Sequence, residues 1–130
     1  MPVRRLQPAF ADDRGVITDL LQRTPIDSVT VITCTPGATR GNHYHKESLQ
    51  FAYVLSGRLT AWSQIPGGPV EVTEVSAGDL IESPPNERHA FQAIEPAVLV
   101  VLTRGPRGGD DYETDTFRVP PLSDSPGLIR

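Results

Sequence analysis

Short β-branched segments separated by glycine and proline constrain this chain more than any other feature. Its 130 residues include 13 prolines and 11 glycines, and no stretch shows a sustained helical period. Strand-like segments at 28–35, 58–65 and 70–75 are each bounded by turn residues. Many short strands at this spacing predict an all-β barrel or sandwich.

The same pattern extends over most of the chain. Further short strands are predicted within residues 1–10 and at 16–21, 50–55 and 80–82, and the apolar run at 97–103 predicts a strand that is buried on both faces. A chain of this length predicts one domain, 1–130, with a core barrel at about 14–103.

Residues 104–130 form a Gly/Pro-rich tail that we expect to pack on the barrel. Its apolar side chains for docking are Tyr112, Phe117 and Val119. Its acidic cluster, typical of a solvated segment, is Asp110, Asp111, Glu113 and Asp115.

Composition limits the partners and the compartment. A net charge of −4 argues against a nucleic-acid partner, which normally requires a basic face. The single cysteine, Cys34, excludes an internal disulfide and favours a reducing compartment. The longest apolar run is too short for a membrane span, and no signal-peptide core follows the first residues. We therefore expect a soluble, cytoplasmic protein with no membrane partner.

The three histidines of the chain lie in turn-bounded, strand-like segments. His43 and His45 are two residues apart, so in an extended strand they project from the same face. His89 follows a Pro84-Pro85-Asn86 bend. Imidazole is a preferred ligand of Zn, Fe, Ni and Cu, so convergence of the three would predict a metal site. The alternative is that they are unconnected polar residues.

Two side chains compete for a further ligand position. In a straight strand Glu47 would share the face of His43 and His45, but residues 46–48 have the composition of a bend. Gln50 begins the next alternating run, and an amide oxygen can bind a metal. We favour His43, His45, Gln50 and His89 as ligands of a divalent ion (Zn, Fe, Ni, Mn or Cu), with Glu47 as the alternative to Gln50.

The spacing around these residues resembles that of a known superfamily. Gly37-x5-His43-x-His45-x4-Gln50-x6-Gly57 resembles the first cupin motif, with Gln50 at the usual glutamate. Gly78-x5-Pro84-x-Asn86-x2-His89 resembles the second, with Asn86 at the usual glycine. The resemblance implies a single-domain cupin β-barrel, also described as a jelly roll or double-stranded β-helix. It leaves the reaction open, because cupins have many chemistries.

A narrower resemblance is to the nucleotide-sugar cupins, the 3,4-ketoisomerases and 3,5-epimerases of deoxysugars. It is carried by segments 13–15, 40–46, 98–102 and 111–113 together with Gln50, Asp115 and Arg118. It implies histidines that move a proton beside a carbonyl and an arginine on the diphosphate. The wider cupin resemblance implies a homodimer, because cupins commonly pair through their N-terminal strands. The candidate substrate-binding residues are Arg14, Arg40 and Arg58, although an exposed arginine is as often simply solvated.

Two mechanisms use the same atoms and exclude each other. In one, the metal polarises a substrate carbonyl. In the other, His43 or His45 is the general base and Tyr53 or Tyr44 the acid. Tyr53 shares a strand face with Phe51 and Leu55, which also favours a place in the core.

We therefore predict an isomerase or epimerase of a small carbohydrate-derived substrate. A metal-dependent dioxygenase and a non-enzymatic metabolite-binding module are the alternatives.

Overall fold

A computed structural model describes residues 1–106, 113–124 and 127–129. The described residues are almost all in strands or turns, and a 3-10 helix at Leu122–Asp124 is their one helical element. They contain no helix that could span a membrane. The strands are β1 (Val3–Arg5), β2 (Phe10–Asp12), β3 (Gly15–Ile17), β4 (Ser28–Cys34), β5 (Thr39–Tyr44), β6 (Leu49–Ser56), β7 (Arg58–Gln64), β8 (Val70–Ser76), β9 (Asp79–Ser83), β10 (Arg88–Ala93), β11 (Ala97–Arg104), β12 (Phe117–Arg118) and β13 (Gly127–Ile129).

Two sheets form the body of the fold. One has the order β1-β9-β6-β11-β4, and the other has the order β12-β5-β10-β7-β8-β13. Every pairing within them is antiparallel except that of β13 with β8. A small separate hairpin joins β2 to β3. The all-β architecture predicted from the turn spacing is confirmed.

The core lies between the two large sheets and is built from alternate residues of each strand. Val54, Leu59, Ala61, Val75 and Ile81 are fully buried there. Because successive side chains of a strand point to opposite faces, one face of each strand fills the core and the other faces outward. This alternation also decides which side chains can line a cavity between the sheets.

Two burial predictions were wrong. In β11 the odd-numbered residues from Ala97 to Thr103 are buried, but Val98, Val100 and Leu102 are only half-buried, so the strand is not buried on both faces. In β6 the core residues are Ala52 and Val54; Tyr53 is on the opposite face and half-buried, and on that face Phe51 is buried but Leu55 is 55% exposed. A run of apolar residues does not reveal that one side of its sheet faces outward.

The ends of the chain belong to the two sheets. β1 pairs with β9 at the edge of the first sheet. This sheet therefore includes residues that precede the predicted start of the barrel at about residue 14. In the tail, β12 pairs with β5, and Leu122 is buried against Trp62 and Val119. The strand predicted at 16–21 is shorter, since β3 ends at Ile17. Of the predicted tail residues, Asp110, Asp111 and Tyr112 lie outside the described residues.

Candidate active site

The pairing of β5 with β10 brings two of the histidines together. His43 and His89 are register partners, and a β-bulge interrupts the ladder immediately beyond them. Asn42 is the extra residue of that bulge and has a φ of +56°, which asparagine tolerates better than most residues. Next to it, Gly41 has no Cβ that would meet the His89 carbonyl oxygen at 2.7 Å. These residues let β5 approach the His89 backbone closely.

The third histidine follows the end of β5. The backbone N–H of Asn86 donates a 2.6 Å hydrogen bond to the His45 carbonyl, which joins this segment to the turn before His89. Asn86 has a φ of +72°, a conformation open to glycine and asparagine. This conformation explains how asparagine can stand where the second cupin motif usually has glycine.

The three imidazole rings form a compact cluster. The ring centroids of His43 and His45 are 4.9 Å apart, those of His43 and His89 4.8 Å, and those of His45 and His89 5.3 Å. His45 and His89 are each only 4% exposed. The convergence that the sequence required for a metal site is therefore present in the structure.

Hydrogen bonding fixes the tautomer of His45. Its Nδ1 lies 2.7 Å from the backbone carbonyl oxygen of Asp115. Because a carbonyl can only accept, Nδ1 must carry the proton and donate it. In the neutral ring, Nε2 then has a free lone pair, and this buried nitrogen has no hydrogen-bond partner. It is available to a cation or to a substrate proton.

The environment of His89 keeps its ring neutral. Burial, helped by repulsion from His43 and His45 when these rings carry a proton, lowers the pKa of His89 to about 3. Its buried Nδ1 has no hydrogen-bond partner. A neutral imidazole with a free nitrogen is the form that binds metals.

The structure separates the two candidates for the further ligand. Gln50 on β6 is 8% exposed and lines the same pocket as the histidines. Its Nε2 donates a 3.3 Å hydrogen bond to the hydroxyl of Thr103, which holds the carboxamide in place. Glu47 lies in the bend after His45 and is exposed.

The histidines lie in a pocket between the two sheets with a cavity of about 90 Å³. One wall is apolar and is formed by Ile32, Ala52, Phe91, Leu99 and Val101. The polar lining outside the histidines consists of Arg40, Gln50, Ser83, Glu113 and Thr116.

The donor set fits a transition-metal ion. One ligand atom from each histidine can be chosen so that all three lie within 4.8 Å of one another. Nitrogens bound to one tetrahedral Zn²⁺ at about 2.1 Å are about 3.4 Å apart, so the ligand nitrogens must move closer by up to about 1.4 Å to close the site. Two of the rings, those of His45 and His89, also present buried nitrogens with no hydrogen-bond partner, which is costly unless a cation or substrate engages them.

Of the candidate arginines, only Arg40 lines this pocket. Arg40 donates through Nη2 to the Thr33 carbonyl at 3.1 Å. Arg14 has an 81% exposed side chain and is ion-paired with Asp12 in the β2–β3 hairpin. Arg58 is the first residue of β7, is ion-paired with Glu74 and Glu95, and is not part of the pocket lining. The structure thus does not bring Arg14 or Arg58 to the histidines of their own chain.

The candidate tyrosines also lie elsewhere. Tyr53 is on the face of β6 opposite Gln50, because their separation along the strand is odd. Tyr44 stacks on Phe117 at 5.4 Å, and the Arg88 guanidinium lies 4.0 Å from its ring centroid on the outer side of β5. Neither is part of the pocket lining.

Sequence analysis did not assign a role to the segment from Glu113 to Arg118, here called the strap. The strap supplies Glu113 and Thr116 to the pocket and the Asp115 carbonyl to His45. The resemblance to the nucleotide-sugar cupins includes Glu113, Asp115 and Arg118, but it implied no contact with the histidines, and the acidic cluster favoured a solvated segment. Only Phe117, as an apolar residue, indicated docking.

Comparisons with known proteins agree with this fold. A family model described as the cupin domain matches residues 30–103. No curated protein matches the sequence.

Three of the similar solved structures illustrate the match. A double mutant of the QdtA 3,4-ketoisomerase from Thermoanaerobacterium thermosaccharolyticum in complex with TDP is 26% identical, with a TM-score of 0.74 over 90% of this chain and 86% of that chain. Another mutant of that enzyme, in complex with TDP-4-keto-6-deoxyglucose, is 24% identical, with a TM-score of 0.73 and the same coverage. The dTDP-4-dehydrorhamnose 3,5-epimerase from Sulfolobus tokodaii is 16% identical, with a TM-score of 0.70 over 95% and 89%.

The chain belongs to the cupin family. Its structural neighbours include a sugar 3,4-ketoisomerase and a dTDP-sugar 3,5-epimerase, the classes that the narrower motif resemblance named.

Proposed function

We propose that this cupin is an isomerase or epimerase that moves a proton next to the carbonyl of a nucleotide-linked keto sugar. The observation that carries the proposal is the cluster of three imidazoles in the pocket between the sheets. The activities named for the 3,4-ketoisomerase and the 3,5-epimerase support it, because both are rearrangements of sugars linked to a nucleotide.

The pocket suits the sugar part of such a substrate. A cavity of about 90 Å³ is small beside pockets that enclose whole ligands, so the nucleotide would lie toward the mouth. Arg40 lines the pocket, and its guanidinium can pair with diphosphate oxygens. The apolar wall would face the unsubstituted carbons of a deoxysugar.

We also propose that His43, His45 and His89 hold a divalent cation (Zn, Fe, Ni, Mn or Cu), with Gln50 as a further ligand. When bound, such an ion polarises a carbonyl oxygen as a Lewis acid and so stabilises negative charge next to it. Gln50 is neutral where the motif usually has glutamate. The site is then one charge unit more positive, which favours an anionic substrate.

The proton acceptor in this proposal is Glu113. A histidine that gives its lone pair to a cation cannot accept a proton with it, so another side chain of the pocket must do so. Glu113 supplies the carboxylate among the described lining residues, and it lies 3.2 Å from Arg118. Its side chain is 54% exposed, so an accepted proton can leave to water.

A metal-free version of the same reaction is the second candidate. It is favoured by the hydrogen bond from His45 to the Asp115 carbonyl, which leaves Nε2 as an unprotonated acceptor. In that case His45 removes the proton. The metal-dependent candidate requires a bound ion and Glu113 as the proton acceptor. The metal-free candidate requires no ion and uses His45 as the proton acceptor.

The direct test is incubation of the protein with TDP-4-keto-6-deoxyglucose in D₂O, followed by NMR. We expect deuterium at a carbon next to the carbonyl and a rearranged product. His45→Asn should abolish both the exchange and the product. Gln92→Ala, which changes a residue of β10 outside the pocket lining, should leave both unchanged. Absence of exchange and product with wild-type protein, both metal-stripped and reloaded, would overturn the proposal.

A further inference from the structure

The carboxylate of Asp115 closes the loop that follows His45. Its Oδ1 accepts a 2.9 Å hydrogen bond from the backbone N–H of Lys46, and its Oδ2 accepts two more at 2.9 Å from Glu47 and Ser48. Three successive amides directed at one anion form a concave anion-binding turn. Here the anion is a side chain of the same chain, about 70 residues away in sequence.

This carboxylate is built into the fold. Asp115 is only 4% exposed. Burial acts to raise the pKa of Asp115, but the amide hydrogen bonds from Lys46, Glu47 and Ser48 outweigh it and leave the pKa below its usual value. Loss of the carboxylate would leave three amides of the loop to find other partners.

The backbone of the same residue holds the imidazole. The Asp115 carbonyl accepts the Nδ1 proton of His45 at 2.7 Å. The side chain of Asp115 therefore fixes the main chain after His45, and its carbonyl fixes the ring of His45. Displacement of Asp115 removes the acceptor that determines which nitrogen faces the pocket.

We propose that Asp115 is a positioning residue that sets the tautomer and orientation of His45 and anchors the strap on the pocket. This inference rests on the proposed role of His45 at the reaction centre. Asp115 acts through the loop at 46–48 and through the strap, whose neighbouring side chains Glu113 and Thr116 line the pocket. The C-terminal segment is then needed to complete the site.

The test measures the His45 tautomer itself by nitrogen NMR of the imidazoles in metal-stripped full-length protein. Wild-type protein should show a protonated Nδ1 and an unprotonated Nε2 on His45. Asp115→Ala should shift His45 to a mixture of tautomers and weaken binding of Zn²⁺ by about 10–100-fold.

Asp79→Ala is the matched control. Asp79 is also a partly buried aspartate whose carboxylate accepts a backbone N–H in a turn, that of Ser76 at 2.8 Å, and it lies outside the pocket lining. It should cost stability without changing the His45 signals. If Asp115→Ala does not fold, Asp115→Asn, which keeps one acceptor oxygen, is judged by the same criteria.

The outcomes separate this inference from the proposed function. A His45 tautomer that is unchanged in the Asp115 variant, or equally changed in the Asp79 variant, would overturn the positioning role even in an active isomerase. The His45 tautomer could change in the Asp115 variant and not in the Asp79 variant, while the wild-type protein neither binds Zn²⁺ nor exchanges substrate protons. That result would support the positioning role and overturn the proposed function.

Discussion

His43 and His89 are direct partners across the β5–β10 ladder, with ring centroids 4.8 Å apart at an interplanar angle of 86°. They are 46 positions apart in the chain, so only the sheet brings them together. The edge-on arrangement, with His45 completing the triangle, follows from a bulge at Asn42 and a glycine at position 41. The site is thus determined by strand register and local backbone geometry.

Separate substitutions of His45 and of Glu113 should distinguish metal binding from catalysis. We expect His45→Asn to lose both metal and turnover, because it removes a ligand. Glu113→Gln should retain metal and lower turnover by about 100-fold or more, because it removes the proton acceptor. Metal content and turnover are measured on the same preparations. Full turnover of Glu113→Gln in metal-free protein, with none for His45→Asn, would assign the base to His45 instead.

Arg40 should dominate nucleotide binding. Arg40→Ala is expected to weaken binding of TDP by at least about tenfold, since a guanidinium–phosphate pair contributes roughly 1.5–3 kcal/mol. Arg58→Ala is the control, because Arg58 is paired with Glu74 and Glu95 away from the pocket. Calorimetric titration with TDP gives both affinities, and equal affinities for the two variants would contradict the assignment.

The neutral state of His89 should appear in the pH dependence of stability. Its pKa is about 3 when folded and near 6.5 when unfolded, so between these values the unfolded chain binds one more proton. His89 therefore contributes a loss of stability of about 1.4 kcal/mol per pH unit as the pH falls from about 6.5 toward 3, and no slope above this range.

The check is denaturant unfolding of metal-stripped protein at several pH values. His89→Gln should flatten the profile within this window, relative to wild type, even if it lowers stability overall. An unchanged slope would mean that His89 is charged or exposed in the folded protein.

Tyr53→Phe should leave catalysis unchanged. Tyr53 lies on the face of β6 opposite Gln50 and outside the pocket lining. Turnover within about twofold of wild type is expected, because no reacting group loses a contact. A large decrease in kcat would place the tyrosine hydroxyl at the reaction centre after all, contrary to the strand alternation.

The sequence was informative where local rules decide structure. Glycine and proline punctuation predicted most strands of the barrel, and the two-residue spacing of His43 and His45 predicted a shared face. The predicted bend at 46–48 is present and its Glu47 is exposed, whereas Gln50 lines the pocket. These are short-range signals that one strand or turn contains.

The rest depends on contacts between distant segments. The alternation of β6 was predicted, but not which face is the core, because Leu55 is as apolar as Val54 and yet is exposed. The strap reaches His45 across about 70 residues through one buried carboxylate and one carbonyl. Neither contact has a local sequence signature, so the acidic cluster by itself predicts only a solvated segment.

The most direct test of the account is elemental analysis of protein purified without an affinity tag. We expect close to one divalent transition-metal ion per chain in the wild type and in Gln92→Ala. We expect almost none in folded His43→Ala or His89→Ala protein. Wild-type protein that takes up no metal, even after exposure to each candidate ion, would contradict the claim that the three imidazoles hold a cation.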